Sequence, residues 1–288
     1  MVRLEEPLFS FNQTIDECIS GVTGNAALLQ RLMDSKIALS AVETEYVGPA
    51  GTGELYTVQP ANAGSNSIII GTLTKSDLIK AYDQYFVPDN KPGRRIYDSL
   101  LNAAKERCPF CGGIGTPRNL DHYLPKAHFP KFSILPKNLV PCCRDCNMGS
   151  KAQNYSTTAS DQPIHPYLDA HRFFLEQWIF AIYHQGLNGE PGYFEYFASP
   201  PDNWSPVDKD RVRKHFRDFE LATRYGTKAA ENLGTILAQI DSLLAAGLDR
   251  AVILSSIIQT GIDSSPFINH WQRGMYQALH QSLGNVAG

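Results

Sequence analysis

The chain has 288 residues, 43% of them hydrophobic and 19% charged, enough for one large domain or two modest ones with real hydrophobic cores. Its net charge of −3 excludes a uniformly basic nucleic-acid coat, and no apolar run approaches the ~20 residues of a membrane helix, so no membrane partner is expected. The opening stretch MVRLEEPLFSFNQTIDECIS carries early acids and no apolar signal core, so a cytoplasmic setting is expected, where clustered cysteines serve metals rather than disulfides.

Residues 1 to about 50 read as helical, with Leu28, Leu32, Ile37 and Leu39 at roughly helical intervals. The stretch GPAGTGELYTVQPANAGSNS interrupts that pattern. Thr74 is placed to cap a helix through KSDLIKAYDQYF, with Leu78, Tyr82 and Phe86 on one face, and PDNKPG ends it. A second helix, RRIYDSLLNAAKER, runs into Cys108 with Ile96, Leu100 and Ala103/Ala104 as its buried stripe. Beyond Lys151 a polar loop leads to DAHRFFLEQWIFAIY, a buried helix or a helix that passes into a strand. GLNGEPGYFEYFA has the turn residues and alternation of a small hairpin.

Ser205 as N-cap, Pro206 at the first helical position and Asp208 at the capping-box position begin a helix lined by Val212, Phe216 and Phe219. KAAENLGTILAQIDSLLAAG then repeats the helical period at Leu233, Leu237, Ile240 and Leu244, with Gly247 to end it. Two further helices follow near 250–259 and 266–283. The fold class expected is mainly α with a small α+β insert. Helical regions at 1–95 and 161–288 flank a metal-stapled core at 96–160.

That core is CPFCGGIGTPRNLDHYLPKAHFPKFSILPKNLVPCCRDCN. Cys108-x-x-Cys111 and Cys143-x-x-Cys146 are two knuckles whose four thiolates suit the closed tetrahedral coordination of a structural zinc. Gly112 and Gly113 suit the tight turn after the first pair. Cys142 is read as a buried neighbour and Cys18 as a core residue. The gap between the pairs exceeds that of a zinc ribbon, so something is folded between them.

Asp121 and His122 lie inside the gap. A carboxylate suits Mg²⁺, a neutral imidazole can take a proton from water, and adjacent strand residues point to opposite sides. Asn147 directly follows Cys146, so a zinc knuckle would fix its position. The order C-x-x-C, LDHYLPK, NLVP, C-x-x-C-N and Lys151 resembles the HNH endonucleases, the ββα-metal or His-Me finger nucleases. The resemblance implies that His122 is the general base, that Asp121 and Asn147 hold a catalytic Mg²⁺ or Mn²⁺, and that Asn138 holds the loop between strand and helix. It implies phosphodiester hydrolysis leaving 5′ phosphate and 3′ hydroxyl ends.

From Lys80 to Lys151 there are 12 Lys and Arg against 6 Asp and Glu, a local +6, whereas the rest of the chain, with 14 basic and 23 acidic residues, carries −9. A phosphate polymer is therefore a reasonable partner there, which the endonuclease resemblance makes DNA, with Lys126, Lys131, Arg144 and Lys151 as candidate phosphate contacts. His128 and His165 read as loop histidines. The DHYLPK and HPY wording with the helical tail more loosely resembles HNH nucleases of bacterial anti-phage systems of the Septu type. That resemblance implies a nuclease effector beside an ATPase partner. The alternatives are an RNA-directed nuclease or a non-catalytic zinc module that binds nucleic acid or protein.

Overall fold

The structure, a computed structural model, describes residues 1–61, 63–148, 155–187, 190 and 192–284. It is about half helical with small antiparallel two-stranded sheets, so the chain is mainly α with a small β component. Among the described residues no helix is long and apolar enough to cross a membrane. The chain divides into two units, Arg3–Ala170 and His171–Gly288 with Met1–Val2.

In the first unit the N-terminal helical region resolves into α1 (Phe11–Ser20), α2 (Ala26–Ala41) and α3 (Glu43–Thr52). Ser10 and Gln13 close a capping box on α1, and Asn25 caps α2 through the Leu28 N–H. Leu28, Leu32 and Leu39 are buried, but Ile37 is 86% exposed. At 100° per residue Ile37 falls roughly half a turn from Leu28, on the outer face of α2. The strands β1 (Ile68–Ile70) and β2 (Leu73–Thr74) form a short hairpin in the region that follows the Gly- and Ser-rich stretch.

Thr74 does cap the next helix, α4 (Lys75–Tyr85), in a capping box completed by Asp77. Asp77 also receives Arg31 of α2 as a two-point ion pair, Nε to Oδ2 at 2.9 Å and Nη2 to Oδ1 at 2.8 Å. One carboxylate thus ties the start of α4 to α2. The chain reverses at Gly93 into α5 (Arg94–Ala103); a Cβ there would meet the Tyr85 carbonyl oxygen at 2.7 Å. Ile96, Leu100 and Ala104 form the buried stripe, while Ala103 is exposed because it lies one residue off that face.

Then come β3 (Asn119–His122), β4 (Leu139–Cys142) and α6 (Arg144–Met148). β3 and β4 are antiparallel, with Asn119 opposite Cys142 and His122 opposite Leu139. α5 packs against both strands, and α4 packs against the one-turn segment Pro130–Phe132 in the loop that joins them.

The second unit begins with the single-turn α7 (Arg172–Leu175), which leads directly into β5 (Ile179–His184). β5 pairs with β6 (Tyr193–Ala198), so the expected hairpin draws its first strand from the preceding apolar segment. Buried Asn269 holds the corner before β5: its Oδ1 accepts the Trp178 and Ile179 N–H groups at 2.8 and 3.1 Å. Ser205 caps α8 (Pro206–Asp218), as its sequence signature indicates.

α9 (Leu221–Ala245) packs on β6, with Tyr225 against Tyr196, and buries Ala229, Leu233, Ile236 and Ile240 along the same helix. Leu237 is half-buried and Leu244 is 40% exposed, because the packed face runs through Ile236 and ends before Leu244. α10 (Arg250–Ile253), a π-turn at Leu254–Gln259 and α11 (Thr260–Asp263) run on from one another, longer than the helix expected at 250–259. α12 (Trp271–Gly284) covers β5.

Candidate functional site

Cys108, Cys111, Cys143 and Cys146 are all buried, and their sulfur atoms lie within 4.8 Å of one another. Four thiolates at about 2.3 Å from one tetrahedral zinc would stand about 3.8 Å apart. The Cys111 and Cys143 sulfurs are 3.9 Å apart. The surrounding backbone is arranged as in a thiolate knuckle. The Cys143 N–H donates to Cys108 Sγ at 3.4 Å, and the Gly115 N–H to Cys111 Sγ at 3.4 Å. Gly112 and Gly113 take φ of 64° and 87°, values that only glycine adopts at little cost, and so reverse the chain after Cys111.

The thiols do not ionise alike. Hydrogen bonding with Cys111 foremost brings Cys108 down to about 4, and with Cys108 foremost brings Cys143 to about 7. The same crowding drives Cys146 up. A divalent ion would supply the charge that lets all four be thiolates, and the all-sulfur donor set fits zinc. Cys142 is buried beside the cluster but outside the four, and its thiol is pushed up by Cys108 foremost. Cys18 is buried in α1, with its thiol raised by burial.

His122 ends β3. Its Nε2 lies 2.8 Å from the Ser133 carbonyl oxygen. A carbonyl only accepts, so Nε2 carries the proton and the basic lone pair falls on Nδ1. The edge of Tyr82 from α4 packs on the imidazole, centroids 4.4 Å apart at 65°. Burial foremost, with the Asp121 charge in addition, pushes the Tyr82 hydroxyl above the usual tyrosine range. It stays protonated and donates to the Leu120 carbonyl at 3.4 Å.

Burial alternates along β3, with Leu120 and His122 buried and Asn119 and Asp121 half-buried. Asp121 and His122 therefore point to opposite sides of the strand. Asn138 is fully buried. Its Oδ1 accepts the Leu124 N–H at 2.7 Å, and its Nδ2 donates to the carbonyls of Leu124 and Phe132 at 3.1 Å each. The amide thus closes the loop from Leu124 to Asn138 on itself. Asn147 is half-buried on α6, its N–H bonded to the Cys143 carbonyl at 3.0 Å. The second cysteine knuckle therefore sets its place on the helix.

The candidate phosphate contacts are placed differently from one another. Lys126 pairs with Asp83 and lies over the Tyr82 ring, 4.6 Å from its centroid. Lys131 pairs with Glu45 of α3. Arg144 is exposed at the first residue of α6. Lys151 lies outside the described residues.

His128 packs against Tyr155, ring centroids 5.0 Å apart. His165 is a fully buried structural histidine. Its Nδ1 faces the N–H groups of Tyr167 and Leu168 at 3.2 and 3.3 Å, and its Nε2 is 3.0 Å from the Tyr46 hydroxyl. The Tyr167 hydroxyl then donates to the Leu139 carbonyl at 3.0 Å, directly opposite His122 in the ladder. Sequence reasoning passed over Ser133, Tyr82 and Tyr167 in this role. Ser133 acts through its backbone carbonyl, for which no residue pattern exists, and Tyr82 registers only as part of a helical stripe.

No protein-family model matches the chain, and no solved structure matches it. Protein ea31 of Escherichia phage lambda is 34% identical over 293 aligned residues, covering 98% of each chain. Identity at that level over nearly the full length of both proteins means that this chain belongs to one family with Protein ea31.

Proposed function

We propose that the chain is a metal-dependent HNH-type endonuclease that hydrolyses phosphodiester bonds of DNA with His122 as general base. The observation that carries this reading is the bond from His122 Nε2 to the Ser133 carbonyl, which leaves Nδ1 as the proton acceptor of an oriented imidazole. Supporting it is the order β3, β4, α6 around the four cysteines, with His122 on the first strand, Asn138 closing the loop between the strands and Asn147 on the helix.

In this mechanism His122 takes a proton from the attacking water. Asn138 keeps the loop that carries Ser133 in register with β3. The oxygen donors of Asp121 and Asn147 fit a hard divalent ion, Mg²⁺ or Mn²⁺, better than a thiophilic one. Held by these residues, such an ion would supply charge to polarise the scissile phosphate and stabilise the leaving 3′ oxygen. The zinc staple has no chemical part and holds a core too small to hold itself.

The test is cleavage of supercoiled plasmid with Mg²⁺ or Mn²⁺ by wild type and His122→Ala, with single-stranded DNA and RNA in parallel. The reading expects cleavage of DNA by wild type only. Wild-type rates from His122→Ala would remove the assignment. Binding without any cleavage would point to the zinc module alone, and RNA cleavage to the RNA-directed alternative.

The setting we infer is conflict between phage and host, as a nuclease effector working beside an ATPase partner. The DHYLPK and HPY stretches support it. A relative in phage lambda fits a gene that phages also carry. Co-purification with an ATPase encoded beside the gene would test that pairing.

A further inference from the structure

We infer that the DNA backbone is received on an arginine rim around the four-cysteine cluster, formed by Arg107, Arg118 and Arg144, and not on Lys126 and Lys131. The inference rests on the nuclease reading for its ligand and on the distribution of ion pairs for its place. Six of the twelve cations of the basic segment are already occupied within their own unit. Arg94 and Arg95 pair with Asp89, Asp98 and Glu17. Lys126 and Lys131 pair with Asp83 and Glu45, and Lys137 lies 3.2 Å from Glu6 and 3.6 Å from Glu43. The Lys91 ammonium donates to the Gly21 carbonyl at 2.9 Å and to Thr23 at 3.1 Å. The Lys126, Lys131 and Lys137 pairs tie the loop of the core to the N-terminal part of the unit. A phosphate would have to displace a carboxylate to reach them.

Among the described residues Lys80, Lys105, Arg107, Arg118 and Arg144 of this segment make no ion pair. All but Lys80 are exposed and cluster in sequence about the cysteines. Arg107 directly precedes Cys108, and Arg144 directly follows Cys143. The Arg118 N–H donates to the Cys142 carbonyl at 3.1 Å. With consecutive Cα atoms 3.8 Å apart and the sulfurs in contact, the Cα atoms of Arg107 and Arg144 lie at most on the order of 18 Å apart. That is the axial length of about five base steps at 3.4 Å each.

The rim is also held in shape. The Arg107 stem runs past Gly113, where a Cβ would stand 3.3 Å from both its Cβ and Cγ. Arginine forks on a rigid frame lose little freedom on binding a phosphate, which is the chemistry that favours arginine over lysine there. Glu106 and Asp145 lie beside the rim in sequence, so its three arginines stand against two carboxylates. That balance suits backbone contact at a few points rather than a broad basic coat.

The test is fluorescence anisotropy with a labelled DNA duplex and a same-length RNA duplex, on the full chain carrying His122→Ala, without added Mg²⁺. The triple variant Arg107→Gln/Arg118→Gln/Arg144→Gln is compared with Lys126→Gln/Lys131→Gln, and zinc content and melting are measured on each. The expected result is a DNA affinity lowered roughly 10- to 100-fold by the arginine triple, with a salt slope shallower by about 3, and only a small effect of the lysine pair. Equal or greater loss in the lysine pair, no loss in a zinc-replete arginine triple, or preference for RNA overturns the inference. DNA held by the arginines without any cleavage by the wild-type chain would end the nuclease reading and leave the rim standing, so the two fail separately.

Discussion

His122 Nε2 sits 2.8 Å from the Ser133 carbonyl, and the Ser133 hydroxyl donates to the Leu78 carbonyl of α4 at 2.6 Å, so the imidazole is oriented by a residue anchored to a helix. His122→Ala should lower cleavage by at least roughly 100-fold, the scale of a general base. Ser133→Ala keeps the carbonyl but releases its anchor. It should lower kcat several-fold with KM nearly unchanged, because substrate contacts are untouched. Steady-state cleavage kinetics, with circular dichroism to establish folding, decide both; an unchanged kcat in Ser133→Ala would mean the anchor is dispensable.

The cysteine cluster separates two kinds of buried thiol. Cys146→Ser should lose zinc and lower the melting temperature of the Arg3–Ala170 unit sharply, since the ion's binding energy is folding energy. Cys142→Ala should retain one zinc per chain and lose only the stability of a small buried side chain, about 1 kcal/mol. Metal analysis beside thermal melts distinguishes them. Zinc lost from Cys142→Ala and kept by Cys146→Ser would reverse the ligand assignment.

Asn138 makes three hydrogen bonds in a fully buried position. Asn138→Ala leaves those backbone groups of Leu124 and Phe132 without the amide and should cost about 3 kcal/mol. Cleavage should fall as well, because Ser133 lies on the same loop. Urea titration of the variant measures the first effect. A cost well below 1 kcal/mol would show that the loop closes without the amide.

Asp77 carries an acid-sensitive link between α2 and α4. Burial by itself would raise its carboxyl, but the Arg31 and Thr74 hydrogen bonds outweigh burial and hold it below the ordinary value. A carboxyl depressed on folding stabilises the chain above its unfolded pKa of about 3.9, and that stabilisation is lost as pH falls through the lower folded value. Asp77→Asn should cost about 2 kcal/mol at pH 7, the scale of hydrogen bonds to a charged group, and the gap to wild type should close in acid. Melts between pH 7 and pH 2.5 would show this; a constant gap would place the effect in packing instead of charge.

The short-range features of this chain were legible from residue order. Two matched cysteine pairs point to one four-sulfur cluster, because each C-x-x-C turn brings its own two sulfurs together whatever surrounds it. The caps at Thr74 and Ser205 follow for the same reason, as each is completed within three residues. Helical periodicity located the helices but misjudged faces where the stripe drifts, as at Ile37, Leu237 and Ala103.

What tertiary structure decided is long-range. It paired Lys126 with Asp83 and Lys131 with Glu45, contacts between residues far apart in sequence, and so took two cations that composition alone counted toward a basic surface. It set a Ser133 backbone carbonyl against His122 and stood Tyr82 on its ring, since neither a carbonyl nor a packing neighbour leaves a mark on residue type. The sequence alone determined which chemical groups lie near the cysteines. Only folding decided which of them are oriented and which are neutralised, because orientation and ion pairing depend on partners that the chain brings together from a distance.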